Sequence, residues 1–318
     1  MRILITGAGG FVGGHLARYL AATMPNADIH GTTLPGSIST MPGMTLHTLQ
    51  LKDQEQTRAL IERVRPDHIY HLAAQAFVPR SFEEPWETLE NNILAQLNVI
   101  LACIRAGIEA RVLVVTSAEM YGRVQPDDLP IDEETPLRPS SPYSVSKIAQ
   151  DMLALQYATS HNLPIMRVRP FNHLGPGQGA SFVAPAFALQ IARIEQGLQE
   201  PVIRVGDLSA RRDFTDVRDV VRAYQLVIDH GTPGAVYNVA TGVARSIREL
   251  LDELLRHSAV PVETVVDPER LRPVSIPILQ GDSTRLRQST GWQPEIPFEQ
   301  SLVDILNDCR QRVTSQGA

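Results

Sequence analysis

Residues 2–14 read RILITGAGGFVGG. RILIT is a short apolar run of the kind that forms a buried strand, and FVGGHLARYLAATM, which begins at Phe11, carries apolar residues at helical spacing. Between the two periods lie Gly7 and Gly10, with Gly13 three residues further on. Such a junction suits a dinucleotide for three reasons. It leaves no side chain at the tight turn, none where backbone meets a pyrophosphate, and none where helix meets strand, with the helix N-terminus facing the anion. Gly7, Gly10, Phe11, Val12 and Gly13 are therefore the expected cofactor-binding residues of this loop.

Working outward, DIHGTT, HIYHLAA and RVLVVTS read as further buried strands, with NILAQLNVILACIRAG among the helical segments between them. Strand and helix in alternation predict an α/β fold, a Rossmann-type doubly wound parallel sheet covered on both faces. Helix punctuation agrees. Asp53 with Gln56 resembles a capping box, Gly107 closes the helix that holds Cys103, Ser141 and Pro142 open another, and Asn162 with Pro164 stops it. LPIMRVRPFN is one more strand, after which prolines and glycines become dense and the regularity ends. A smaller α+β substrate-binding lobe is expected from about residue 171. DFTDVRDVVRAYQLVIDHG is a helix candidate capped by Asp213 or Asp216, and AVYNVATG a strand returning to the first sheet. The expected division is residues 1–170 plus about 213–241 for the dinucleotide domain, and about 171–212 plus 242–318 for the second lobe.

Of the 318 residues 43% are hydrophobic and 20% charged, and the formal net charge is −6, so a nucleic-acid partner is not expected. No stretch of about 18 apolar residues is present to span a bilayer, and no apolar signal precedes the first strand. Cys103 and Cys309 fit no metal or redox spacing and read as buried free thiols, so the cytoplasm is the expected compartment and no metal is expected.

In SPYSVSK, residues 141–147, Tyr143 and Lys147 share one helix face at i and i+4. A tyrosine titrates near 10, and a lysine ammonium beside it is expected to stabilise the phenolate and lower that value, making a proton-transfer pair. Ser117 ends the strand RVLVVTS, where a parallel sheet presents catalytic groups. At the end of the second strand HGTT offers neither a carboxylate for a ribose hydroxyl pair nor an arginine for a 2′-phosphate; Thr32 and Thr33 tolerate a phosphate. NADP is therefore the expected cofactor, with NAD possible.

The glycine loop in its GxxGxxG form, HLAA at residues 71–74, Asn92, Ser117, YSVSK and RPFN together resemble the extended short-chain dehydrogenase/reductases that act on nucleotide sugars. Within that family FNHLGPGQ, VGDLSARRDFTDVRDVV, LRPVSIP and STGWQP are most similar to the enzymes that reduce GDP-4-keto-6-deoxy-D-mannose to GDP-D-rhamnose. The resemblance implies that Tyr143 protonates the C4 oxygen, that Lys147 holds the nicotinamide ribose and tunes Tyr143, and that Ser117 hydrogen-bonds the ketone. Thr32, Gln50, Leu51, Leu72, Ala73, Ala74 and Pro170 would line the cofactor. Ala118, Asn172, Val183, Arg212, Arg272 and Ser275 would meet the sugar nucleotide, the arginines at its diphosphate and ribose. A homodimer through the helices around residues 92–107 and 143–161 is implied as well.

Some positions depart from the family pattern: Gln50 stands where an aspartate is usual for the adenine, and Ser275 where a glutamate is usual for the nucleoside. Glu119 stands where the related GDP-mannose 4,6-dehydratases carry the base that removes the C5 proton, so a dehydratase, or an epimerase, is the alternative to the reductase. GGFVGG and FNHLGPGQ favour the reductase. Cofactor-binding regulators of this family tend to lose the tyrosine or the lysine, and both are here.

Overall fold

The computed structural model describes residues 1–37, 41, 43–268 and 276–316. The first six strands are β1 (Arg2–Thr6), β2 (Asp28–Thr33), β3 (Thr45–Thr48), β4 (His68–His71), β5 (Arg111–Val115) and β6 (Ile165–Pro170). Between them run helices α1 (Phe11–Thr23), α2 (Gln54–Val64), α3 (Val78–Glu83), α4 (Pro85–Arg105) and α5 (Pro142–His161). The next strands are β7 (Asn172–Leu174), β8 (Val202–Val205), β9 (Arg211–Asp216) and β10 (Val236–Val239), with α6 (Val183–Glu195) and α7 (Val217–His230) among them. The chain closes with β11 (Ala244–Ser246), α8 (Ile247–Arg256), β12 (Glu263–Val266), β13 (Ile278–Leu279), α9 (Thr284–Thr290) and α10 (Phe298–Gln316).

Seven strands form one sheet in the order β10-β6-β5-β4-β1-β2-β3, every neighbouring pair parallel. The path runs outward from β1 to β3, then returns to β4 on the other side of β1. That reversal opens a crevice at the carboxyl ends of β1 and β4, where Thr6 and His71 are register partners. The alternation of β1 explains how it holds both faces: Ile3 and Ile5 pack into the core under α1 and α7, Leu4 into the core under α2, α4 and α5. All three are fully buried, each contributing about 1.5–3 kcal/mol.

A second layer is built on β9, which pairs with β11, β13 and β7, while β12 pairs with β8. Its core joins Phe187 and Ile191 of α6, Leu250 and Leu254 of α8, and Leu302, Ile305 and Leu306 of α10. Of the two candidate caps for α7, Asp216 is the one used: its carboxylate accepts from the Arg218 N–H at 2.8 Å. Asp213 instead takes hydrogen bonds from Thr241, Gly242 and Gly281, tying β9 to the segments after β10 and β13.

Helix α5 begins as its sequence predicts. Ser141 accepts from the Ser144 N–H at 3.1 Å, Pro142 occupies the first turn, and Asn162 ends the helix in the left-handed region. Its buried face carries Tyr143, Lys147, Asp151, Ala154 and Ala158. Asp151 pairs with Arg167 at 2.7 Å and Arg169 at 2.8 Å, both on β6, so the helix is fastened to the strand beside it. Asp53 caps α2 through the N–H groups of Glu55 and Gln56, but the Gln56 side chain donates to the Asp53 carboxylate and does not accept from the Asp53 N–H, which goes to the Gln50 carbonyl. Cys103 and Cys309 are buried free thiols. Among the described residues, no helix is long and apolar enough to cross a membrane.

Candidate active site

A cleft of about 610 Å³ lies along the carboxyl ends of β1, β2, β4, β5 and β6. Its outer half is made by the glycine loop. Gly7 has φ +70°, a conformation that side-chain-bearing residues rarely adopt, and a Cβ there would stand 3.0 Å from the Ala73 backbone. A Cβ at Gly13 would stand 2.4 Å from the Gly7 carbonyl oxygen, so α1 can approach β1 this closely only with glycine. Gly10 caps α1 without a side-chain hydrogen bond, leaving the N–H groups of the first turn for an anion. The loop is held from β2: Gly7 N–H donates to the Thr32 hydroxyl at 3.1 Å and Ala8 N–H to the Thr32 carbonyl at 2.9 Å. The arrangement fits a dinucleotide pyrophosphate, since no side chain intrudes where it would lie.

The opposite wall follows β4. The Thr6 hydroxyl accepts from the N–H groups of Leu72 at 3.1 Å and Ala73 at 3.2 Å, so its own proton goes to His71 Nδ1 at 3.0 Å. That leaves the His71 proton on Nε2. Burial drives the imidazole pKa down to about 3, with the nearby Lys147 charge adding to it, so His71 stays neutral and holds the loop.

The inner end brings together Ser117, Tyr143 and Lys147, the residues expected to be catalytic. Ser117 caps the short turn over Ala118–Met120, its hydroxyl accepting from the Glu119 N–H at 3.2 Å. Tyr143 and Lys147 project from the first two turns of α5 into the same cleft. Lys147 Nζ donates to the Val115 carbonyl at 3.0 Å and lies 5.9 Å from the centre of the Tyr143 ring. Burial lowers the Lys147 pKa from 10.5 to about 7. The expected depression of Tyr143 by Lys147 is not what the fold produces. Burial pushes the phenol well above its ordinary value, a hydrogen bond with the Ser117 hydroxyl offsets part of the rise, and the Glu119 carboxylate adds to it. Desolvation outweighs the single favourable partner, and the lysine head is drawn to the β5 carbonyl. Tyr143 is thus held protonated, as a proton donor must be before it acts.

A family model described as GDP-mannose 4,6 dehydratase matches residues 4–305. The chain belongs to that family. It is 40% identical over 315 residues, 99% of both chains, to a GDP-6-deoxy-D-mannose reductase of Pseudomonas aeruginosa. Among solved structures it resembles RMD from the same organism complexed with NADPH, at 39% identity and a TM-score of 0.87, covering 98% of this chain and 99% of that one. It also resembles the UDP-glucose 4-epimerase of Thermus thermophilus in complex with NAD, at 28% identity and a TM-score of 0.87, covering 98% and 99%. The expected kinship with extended short-chain dehydrogenase/reductases of nucleotide sugars is borne out by these matches.

Against this family background, the cleft gathers Gly7, Gly10, Phe11, Val12, Gly13, Thr32, Leu51, Leu72, Ala73, Ala74, Ser117, Ala118, Glu119, Tyr143, Lys147, Pro170 and Asn172 from the residues named in the sequence. Gln50 is exposed and stands outside the lining, between Leu49 and Leu51, which belong to it. Val183 opens α6 and packs against the core shared by α6, α8 and α10, next to the lining residue Phe182. Arg212 lies on β9, its backbone paired with the lining residue Leu279. Arg272 and Ser275 lie outside the described residues.

The cleft also includes residues that sequence reasoning passed over. Ser37 joins Thr32 and Thr33 beyond β2, and Asn91 and Ala95 come one turn apart from α4. His173, which from the sequence reads as a structural hydrogen-bonder and not a catalyst, lines it too, its ring stacked on Phe11 at 6.2 Å and its carbonyl held by the Gln178 amide at 3.0 Å. The one available signal was the Pro/Gly-dense stretch after β7, which marks an irregular wall without saying which side chains face inward.

Proposed function

We propose that the protein reduces the 4-keto group of GDP-4-keto-6-deoxy-D-mannose to give GDP-D-rhamnose, using NADPH. The observation that carries this reading is the Ser117–Tyr143 hydroxyl pair beside Lys147 at the inner end of a cleft whose outer half fits a dinucleotide. The choice of substrate follows the full-length relative, a GDP-6-deoxy-D-mannose reductase. The cofactor follows RMD, complexed with NADPH, and the lining at the end of β2 and just after it, which among the described residues has hydroxyls at Thr32, Thr33 and Ser37 and no carboxylate to repel a 2′-phosphate.

When bound, the nicotinamide supplies the hydride. The residues do the rest. The Ser117 hydroxyl donates to the ketone oxygen and aligns it. The Tyr143 phenol delivers its proton to that oxygen as negative charge develops there, which is where fixed donors lower a barrier most. Lys147 holds the ribose hydroxyls and, in its charged form, supports the phenolate left on Tyr143. Gly7, Gly10 and Gly13 admit the pyrophosphate, with Phe11, Val12, Leu51, Leu72, Ala73, Ala74 and Pro170 as flanking contacts. Asn172 and Ala118 face the sugar. Arg212, Val183, Arg272 and Ser275 serve the nucleotide side of the substrate, with Gln50 towards the adenine. Residues 1–170 and about 213–241 act as the cofactor domain, the remainder as the substrate lobe.

Glu119 supports a second reading. A carboxylate in the cleft near Tyr143 is the equipment of a dehydratase, which removes a C5 proton. An assay separates the two: purified protein is given GDP-mannose alone, then GDP-4-keto-6-deoxymannose with NADPH, and cofactor absorbance and sugar products are followed. The reductase consumes NADPH in the second mixture only. Conversion of GDP-mannose without net loss of cofactor would establish the dehydratase instead.

The assembly is proposed as a homodimer. Leu94 of α4 and Val145 and Met152 of α5 are exposed on the two helices that the family resemblance implies for pairing, and the last two stand at i and i+7, so they share a face. The two buried free thiols suit a reducing cytoplasm.

A further inference from the structure

Resting on the reading of the substrate as a 4-keto-6-deoxy sugar nucleotide, we propose that Phe182, braced by Phe77, walls the hexose subsite and selects a methyl over a hydroxymethyl at C6. The two rings come from different lobes. Phe77 precedes α3 in the segment after β4, and Phe182 precedes α6 in the second lobe. Their centroids lie 6.3 Å apart at 71°, an edge-to-face contact. Phe182 lines the cleft, and so do Ala76 and Val78 on either side of Phe77. Both residues remain about two-fifths exposed, at 36% for Phe77 and 40% for Phe182, so they are not core packing.

The wall is fixed relative to the reacting groups. The Gln75 side chain accepts from the Phe77 N–H and donates to the Phe77 carbonyl, while the Gln75 backbone is held in both directions by Asn92. Asn92 in turn donates to the Ser146 hydroxyl at 2.9 Å, and Ser146 donates to the Tyr143 carbonyl at 2.7 Å. Segment 75–78 is therefore tied through buried amides to the first turn of α5, where the proton donor sits. With the ketone carbon at Ser117 and Tyr143, C6 is only two bonds away. In a 4-keto-6-deoxyhexose it is the one ring substituent without oxygen. With C6 set against the stretch of lining made by Ala76, Val78 and Phe182, a hydroxyl there would meet no side-chain partner from these three residues. Phe182 is the contact residue and Phe77 a positioning residue.

The experiment compares a pair of nucleotide sugars that differ only at C6, GDP-D-rhamnose and GDP-mannose, as competitive inhibitors of ketone reduction, in wild type, Phe77→Ala, Phe182→Ala and Phe77→Leu. Wild type should prefer the 6-deoxy compound by about tenfold to a hundredfold, the range an apolar pocket achieves against an added hydroxyl. Both alanine variants should bring the preference close to parity with NADPH affinity unchanged, and Phe77→Leu should recover part of it. A preference that survives both alanine substitutions overturns the wall, as does loss of NADPH affinity in step with loss of preference. A wild-type protein that reduces no 4-keto-6-deoxy sugar fails earlier and removes the substrate reading itself.

Discussion

Replacing Lys147 by methionine removes a buried charge while keeping a side chain of similar length. Lys147 is 4% exposed, and burial takes its pKa from 10.5 to about 7. At about 1.4 kcal/mol per pH unit, that fall corresponds to a cost of about 5 kcal/mol for carrying the ammonium in the folded protein. That figure is already net of the hydrogen bond from Nζ to the Val115 carbonyl, because a pKa shift compares the two protonation states with all their partners in place. The folded pKa lies below the unfolded one, so between about pH 7 and pH 10.5 the unfolded chain holds a proton that the folded chain has released. Wild-type stability therefore rises with pH across that window. Methionine titrates nowhere, so the variant's advantage should be full below pH 7, smaller at pH 9 and gone above about 10.5. Urea unfolding of both proteins without cofactor, at pH 6 and pH 9, reads the difference directly. Lys147→Met should be the more stable protein at pH 6 while turning over poorly, a residue kept for function at the expense of the fold. A variant no more stable than wild type at pH 6, or an advantage of equal size at both pH values, would refute the reasoning.

Tyr143→Phe should lose about 10²–10⁴-fold in kcat with NADPH affinity intact, measured by fluorescence titration, because only the proton donor is removed. Ser117→Ala should cost about 10²–10³-fold in kcat, the effect of deleting one fixed donor to a developing oxyanion. Gly13→Ala would put a Cβ 2.4 Å from the Gly7 carbonyl oxygen, so NADPH affinity should fall by more than about tenfold as the loop is forced apart. Asp151→Asn should destabilise the protein by about 3–5 kcal/mol in denaturant unfolding, since Arg167 and Arg169 would keep buried charges without their carboxylate.

The glycine-loop half of the cleft was open to reading from the sequence because local rules govern it. A switch from period 2 to period 3.6 across Thr6–Phe11, with glycines where a Cβ collides, is visible in a line of letters. The Ser141–Pro142 helix start was visible for the same reason. Strand β3 was not: TLHT is four residues at the sheet edge, half exposed, with no apolar run to announce it. Helix α4 starts at Pro85, earlier than the apolar periodicity of residues 92–107 suggests, because its first turns carry polar residues. The choice between Asp213 and Asp216 needed tertiary partners, since the Asp213 carboxylate is claimed by Thr241, Gly242 and Gly281. The proton affinities of Tyr143 and Lys147 depended on burial, which spacing on a helix does not reveal, and the expected tuning had the wrong sign for that reason. Phe77 and Phe182 meet from segments far apart in the chain, beyond the reach of any local pattern.

Deuterium tracing tests the central claim most directly. The protein is given GDP-4-keto-6-deoxymannose and NADPH deuterated at the transferable position of the nicotinamide, and the product is analysed by mass spectrometry and NMR. Net ketone reduction at Ser117, Tyr143 and Lys147 predicts one deuterium at C4 of the sugar for each NADP formed. A product without deuterium at C4, or a sugar converted while the cofactor returns to its starting state, would contradict it.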